Sequence, residues 1–316
     1  MEWLADLSAA MLLFSLLMYL MLDGTDLGAG MLLIFFNDEK QKRSIVKSML
    51  PIWDANETWL VLLAGGLFAL FPAAYARLFS ALYIPVFVML LSLILRALAL
   101  EYRDTVSGRI RPWLDKLLPA SSALAAYCQG ICAGLVVSGN IAAGAYSWLG
   151  LYPMLSGIGL ICAYMLLGCG WIRWRVAEKK EKRTLRLTRY FLLLSLGLFL
   201  IIQCMNPAPW QQVWQLAWGK GLILSIVLLW LFSLLALQKL SPFRQLAVTL
   251  ILLAAIVIQT GIGIYPELIP GEMNLHRVAS GGITQAFLLT GIAFIIPITL
   301  LYHSWAFWVF RGKIEK

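Results

Sequence analysis

The chain has 316 residues, of which 61% are hydrophobic and only 13% charged. Soluble domains average about 45–50% apolar and about 25% charged residues, so this composition excludes a soluble globular protein and points to a polytopic membrane protein. The net charge of +9 is spread between apolar segments rather than gathered in one basic domain, so a nucleic-acid partner is not expected.

Apolar stretches of about 20 residues or more are transmembrane candidates. Nine occur in chain order, at 4–35, 51–71, 78–100, 119–138, 150–172, 188–206, 217–237, 244–264 and 282–310. The expected fold is all-α, with nine transmembrane helices in a single integral membrane domain of two approximate halves, 1–142 and 143–316. The opening MEWLADLSAAML lacks a basic n-region, and its apolar run outlasts a signal peptide, so it reads as a retained first helix. No polar connection is long enough to form a soluble domain.

The basic residues test the span count. The connections at 36–50, 96–116, 173–189 and 239–244 and the C-terminal tail hold 22 of the 25 Lys and Arg residues, and only Arg77, Lys220 and Arg277 fall on the other side. Cytoplasmic loops carry the Lys/Arg excess, which places the N-terminus outside and the C-terminus in the cytoplasm. The run from Lys179 to Arg189 also suits anionic lipid. Trp3, Trp53, Trp113, Trp148, Trp171, Trp174, Trp210, Trp305 and Trp308 lie near span ends and fit an interfacial aromatic belt.

Two spans carry acids where lipid would reject them. The first contains MLDGTDLGAGM, with Asp23 and Asp26; an aspartate at the centre of a membrane helix costs about 2.5–3.5 kcal/mol. The second opens PIWDANETWL, with Asp54 and Glu57 in its first turns. On consecutive antiparallel helices all four acids fall at similar depth, and each pair, spaced i and i+3, shares a helix face. Gly24, Gly28 and Gly30 leave the first helix small on one side, which lets a neighbour approach. Three readings of the acids stand side by side. Asp54 can cap or solvate a helix N-terminus, and both acids suit its dipole. Arg96, in LILRALALEYR at the end of the third span, can neutralise them. Or carboxylates in a low-dielectric site can hold and pass protons entering from the cytoplasm. Asn56-Glu57-Thr58 matches a glycosylation sequon, but a cytoplasmic helix start makes the match meaningless.

Other chemistry is sparse. Cys128, Cys132, Cys162, Cys169 and Cys204 form no CxxC or CxxCH pattern and read as small buried residues. There are two histidines, His276 in an outside loop and His303 in the last span. That is too few for a protein binding several haems itself, and His303 reads as a hydrogen-bonded interfacial residue. No metal-ligand spacing, Walker loop or dinucleotide fingerprint is present. Acids for protons without a redox centre suggest a subunit completed by a partner.

The stretches DGTDLGAGMLL, PIWDANETWLVLLAGGLFALFPAAYARLFSALYIP and LILRALALEYR resemble the N-terminal half of subunit II of cytochrome bd-type quinol oxidases. The C-terminal IPITLLYHSWAFWVFRGKI is similar to that family's last helix and tail. The resemblance covers about the first 105 residues and returns at 265–313. The family usually reads DGFDLG and WDGNEVW; here Thr25 and Ala55 replace Phe and Gly, and no acid is lost. The resemblance implies two four-helix bundles plus one further helix, in a heterodimer in the bacterial cytoplasmic membrane. It implies a haem-bearing subunit I as partner, holding haem b and haem d (or b-type haems only), with quinol as substrate of the complex and oxygen reduced to water. Subunit II binds no haem or metal in this family; it contributes structure, an oxygen path and part of a proton path. Small single-helix accessory subunits, lipid and quinone are further expected partners. Carried onto this chain, the proton path comprises Asp23, Asp26, Asp54 and Glu57, framed by Trp53, Asn56, Trp59, Gly24, Gly28 and Arg96. Two rival readings are an ion-coupled secondary transporter, which would need a second polar site in the other half, and a purely structural partner subunit.

Overall fold

The computed structural model describes residues 2–106, 108–143, 146–176, 181–310 and 312. Lys179 and Lys180 of the lipid-facing run, and Arg311, Lys313 and Lys316 of the basic tail, lie outside the described residues.

The chain is helical almost throughout. In order it forms α1 (Glu2–Leu32), α2 (Glu39–Met49), α3 (Trp53–Leu70), α4 (Pro72–Ala81), α5 (Tyr83–Tyr102), α6 (Arg111–Ser138), α7 (Leu151–Arg175), α8 (Glu181–Met205), α9 (Ala208–Gln215), α10 (Gly219–Leu235) and α11 (Pro242–Ile264). A two-stranded hairpin, β1 (Glu267–Ile269) and β2 (Met273–Asn274), leads into the single turn α12 (Leu275–Val278) and the last helix α13 (Gly282–Val309).

Among the described residues seven helices are long and apolar enough to cross a membrane: α1, α5, α6, α7, α8, α11 and α13. An eighth span results if α9 and α10, bent by 118° at a short break, are taken as one. The expected span at 51–71 is α3, only 18 residues long and opening on Asp54, Asn56 and Glu57, and those polar turns keep it out of the set. The expected span at 78–100 is divided. Proline at the start of α4 begins one short helix, and α5 begins after a break at Leu82. α6 starts at Arg111, eight residues before the apolar run at 119, because Pro112 at its first turn is compatible with a helix start.

α1 and α7 sit at the centre. α1 packs against α3, α6 and α7, and α7 also packs against α6, α8 and α11. One continuous set of buried side chains runs from Ala5 to Ile296. Every residue of α1 from Asp23 to Leu32 is buried. Glycine makes this possible. A Cβ on Gly28 would strike the Tyr164 carbonyl oxygen, one on Gly168 would strike the Gly28 backbone, and one on Gly24 would strike the Tyr164 ring. Close backbone approach of this kind is how membrane helices gain dispersion contact where lipid supplies no hydrophobic drive.

Polar residues close both ends. At the first-turn end of α1, Asp6 Oδ1 meets His276 Nε2 at 2.7 Å and accepts from the Tyr265 hydroxyl at 3.1 Å, and Arg77 pairs with Glu272. At the opposite end Arg103 is wholly buried. It meets Asp115 at 2.5 Å, Glu39 at 2.8 Å and Asp104 at 3.2 Å. Burial works against its charge, but the hydrogen bond and charge of Asp115, with Glu39, outweigh that and raise its pKa above the usual value. Trp171 does not join an interfacial belt: it is 3% exposed and donates to Ser48 Oγ at 3.0 Å, so its indole N–H is spent inside the protein.

The α1–α7 contact predicts that Gly28→Leu cannot be absorbed, since its neighbour is backbone. Overpacking costs about 1–3 kcal/mol where side chains give way, and more where backbone must move. The detergent-solubilised protein should melt at a clearly lower temperature than wild type, or fail to accumulate, whereas Gly221→Leu, facing open space, should leave the melting temperature unchanged.

Candidate functional site

The acids of α1 and α3 are sorted by helix geometry. Asp23 and Asp26, three residues apart on the stretch of α1 that is buried on all sides, face different partners. Asp23 lies against α5, where Arg96 Nη1 stands 2.7 Å from its Oδ1, and both side chains are fully buried. Asp26, 1% exposed, accepts a hydrogen bond of 2.7 Å from Asn56 Nδ2 on α3. The residue after Asn56 is turned about 100° around α3, so Glu57 faces Arg96 instead, with Oε1 3.5 Å from Nη1. Its side chain keeps 25% of its surface exposed. One guanidinium therefore serves two carboxyls, and one carboxamide a third, where α1, α3 and α5 converge.

Asp54 stands apart. It occupies the first turn of α3 and is exposed. Ile52 is the N-cap residue, and no side chain caps this helix, so Asp54 does not act there as a capping ligand. It heads an exposed stripe with Thr58, Val61, Gly65 and Phe68, whose alternating spacing of four and three traces one face of the helix.

The framing residues fix α3. Trp53 Nε1 donates to Glu101 Oε1 at 3.3 Å. Trp59 is 1% exposed, its carbonyl accepts from Ser15 Oγ at 2.8 Å, and its ring meets Phe14 edge-on. Gly24 and Gly28 admit Tyr164 and α7 beside the acids.

Three further polar residues border the cluster and are not among those singled out in the sequence. Tyr19 lies one turn before Asp23 on α1, Gln129 is on α6 and Tyr164 on α7. Gln129 Nε2 donates to the Tyr19 hydroxyl at 2.6 Å, and the Tyr164 hydroxyl donates to Gln129 Oε1 at 2.8 Å. A carboxamide inside the apolar stretch AAYCQGICAG is a signal that could have marked them, since a polar side chain within a membrane helix needs an interhelical partner.

His276 is tied to Asp6 at one end of the molecule. His303 donates from Nδ1 to the Thr299 carbonyl at 2.8 Å, with its ring centroid 5.9 Å from those of both Trp59 and Tyr302. Among the described residues no group of three or more His, Cys, Asp or Glu side chains could hold a metal ion.

Fold and site together define an all-helical integral membrane protein with a carboxylate–guanidinium cluster enclosed by its own helices. A family model described as cytochrome bd terminal oxidase subunit II matches residues 4–310. The cytochrome bd-I ubiquinol oxidase subunit 2 of Escherichia coli K12 is 23% identical, covering 93% of this chain and 90% of its own length. The cytochrome bd ubiquinol oxidase subunit 2 of Bacillus subtilis is also 23% identical, covering 94% and 93%. The structure of bd oxidase from Geobacillus thermodenitrificans superposes with a TM-score of 0.80 at 17% identity, over 97% of this chain and 99% of the matched one. The chain belongs to the cytochrome bd terminal oxidase subunit II family. It is thus a multi-pass membrane subunit of a quinol-oxidising oxidoreductase complex of the bacterial inner membrane.

The Arg96 contacts predict an asymmetric mutational response. Arg96→Met leaves buried carboxylates uncompensated and should cost about 3–5 kcal/mol. The double variant Asp23→Asn with Arg96→Met removes both charges of the closest pair and should recover part of that loss. Thermal melting of the purified protein checks both; a double variant no more stable than Arg96→Met would show that the pair is not the anchor.

Proposed function

We propose that the cluster forms part of a proton path that serves oxygen reduction in a haem-bearing subunit I. The observation that carries this reading is a gradient of exposure along one short line. Asp54 is exposed, Glu57 is a quarter exposed, and Asp26 and Asp23 are 1% and 0% exposed. Asp54 and Glu57 are one turn apart on α3, and Glu57 shares Arg96 with Asp23. Water-side protons thus meet a carboxyl at each depth. Two acids enclosed by apolar helices for packing alone would be costly, whereas acids graded from exposed to buried suit proton entry.

In this reading the N-terminus lies outside, the C-terminus lies in the cytoplasm, and α3 and the bent α9–α10 pair bring the spans to nine. The end that carries Arg103, Arg111, Arg43 and Lys42 is then cytoplasmic, in keeping with the distribution of positive charge. Proton entry at Asp54 follows from that orientation. The haems, of b and d type or b type only, belong to subunit I, which oxidises quinol. This chain supplies no redox group. Its residues position protons, exclude water around Arg96 and present the contact surface. The exposed stripe headed by Asp54 and the outward-facing Ile84, Phe87, Leu91, Ile94 and Leu98 of α5 are the face we assign to subunit I. An oxygen path through the same subunit, small accessory helices and bound lipid complete the assembly expected of the family. A purely structural subunit shares every contact described, and differs only in predicting that the acids can be neutralised without effect on turnover.

Asp54→Asn and Glu57→Gln, in the assembled complex with its haem spectrum intact, should each lower quinol-driven oxygen uptake and the coupled proton consumption by at least about tenfold, the scale of a lost proton-transfer group. Turnover equal to wild type in both variants would assign the acids a structural role.

A further inference from the structure

The buried polar groups beside the acids have a direction that can be worked out by counting protons. A phenol has one proton to donate and can accept two hydrogen bonds. The Tyr164 hydroxyl spends its proton on Gln129 Oε1 at 2.8 Å, and Gln129 Nε2 donates to the Tyr19 oxygen at 2.6 Å. Gln129 therefore fills an acceptor site of Tyr19 and leaves the Tyr19 proton free. All three side chains are buried, with exposures of 0%, 7% and 1%, so that proton must be satisfied within the protein. Besides Gln129, the ionisable groups near Tyr19 are Asp23, Tyr164 and Arg96. Tyr164 is already committed to Gln129, and a guanidinium accepts nothing. Asp23 is left. It lies four residues on along α1, on the same face. Arg96 Nη1 approaches Asp23 at 2.7 Å but off the straight line of a hydrogen bond, so the carboxylate has acceptor capacity to spare.

We propose that Tyr164, Gln129 and Tyr19 form a hydrogen-bonded strut across α7, α6 and α1 whose last proton, on Tyr19, is donated to Asp23 and fixes that carboxylate toward Arg96. The three are positioning residues: none carries a mobile proton itself. The carboxamide sets the polarity of the strut. If Gln129 turned over, its oxygen would take the Tyr19 proton away from Asp23 and the Tyr164 proton would lose its acceptor. Tyr164 thus controls Asp23 from two residues away, through the orientation of an amide. The charged and titratable groups around Asp23 are Tyr19 and Asp26 on α1, Glu57 on α3 with Asp54 beyond it, Arg96 on α5 and Tyr164 on α7; α6 contributes the neutral Gln129. The effect of the strut on turnover rests on the proton-path reading; its existence does not.

The test uses Tyr19→Phe, Tyr164→Phe and the double variant in the assembled complex, with the haem spectrum as the check on assembly. The carboxylate bands of Asp23 are first assigned in the infrared difference spectrum by their loss in Asp23→Asn. Both single variants should shift those bands, and the pH profile of quinol-driven oxygen uptake should move by about one unit in each, on the scale of one lost hydrogen bond to a charged group. Residues acting through one network are non-additive, so the double variant should move neither readout further than Tyr19→Phe alone. Unchanged Asp23 bands in Tyr19→Phe would overturn the strut, and so would a silent Tyr164→Phe. If Tyr19→Phe fails to assemble, Tyr164→Phe, whose hydroxyl donates to Gln129 and not to Asp23, decides the matter alone. Shifted bands with an unmoved pH profile would keep the strut and overturn the proton-path reading.

Discussion

The closed pair of Arg96 and Asp23 is the constraint around which the rest is arranged. Two charges taken wholly out of water cost several kcal/mol each and are compensated only by close geometry and further polar contacts. The surroundings supply one such contact to the pair and gather further polar groups beside it. α3 brings Glu57 to the same guanidinium and Asn56 to Asp26. α6 and α7 bring Gln129 and the Tyr164 hydroxyl to Tyr19, one turn from Asp23. Three carboxyls lie in the cluster with one guanidinium, which contacts two of them, so the charge balance of the cluster depends on protons and on how each oxygen is held. A cluster of this kind couples helix packing to protonation, because neither can change without disturbing the other.

The burial is in turn made possible by what α1 lacks. A helix buried on every side from Asp23 to Leu32 needs neighbours on every side, and ordinary side chains would hold α7 away. Gly28 and Gly168 meet backbone to backbone, and Gly24 leaves room for the Tyr164 ring. The glycines and the aspartates of DGTDLGAG are thus one device: the small residues admit the helices that keep the acids from lipid.

Much of this was legible in the sequence, and the exceptions have physical reasons. The run of apolar segments, the acids on two neighbouring helices and Arg96 at matching depth follow from periodicity and from the insertion cost of charge. The α3 boundary and the split between α4 and α5 were not legible, because apolar composition records burial or lipid contact and not where a backbone breaks. Asp54 and Glu57 look equivalent as an i, i+3 pair, yet one is exposed and the other faces Arg96. Three residues turn a helix by about 300°, and that remaining 60° decides which side chain reaches the guanidinium. Tyr19, Gln129 and Tyr164 are far apart in sequence, and only the crossing of α1, α6 and α7 brings them together. Trp171 shows the same limit in reverse: a tryptophan near a span end, taken for an interfacial anchor, is buried against Ser48.

α3 shows why the chain is incomplete by itself. Its inner face holds Asn56 and Trp59 against the core, while its outer face carries Asp54, Thr58, Val61, Gly65 and Phe68 uncovered. Lipid would accept Val61 and Phe68 but not a carboxylate heading the same stripe. Water would accept the carboxylate but not the apolar residues below it. A protein surface that is apolar along the helix and polar at its first turn satisfies both, and membership in a subunit II family implies a subunit I to provide one. In the proposed reading, the polar turns that make α3 a poor span in isolation are the turns where the partner and the aqueous phase meet. On that reading the same residues that lead inward to Arg96 lie at that junction, so one helix governs both assembly and access to the buried acids.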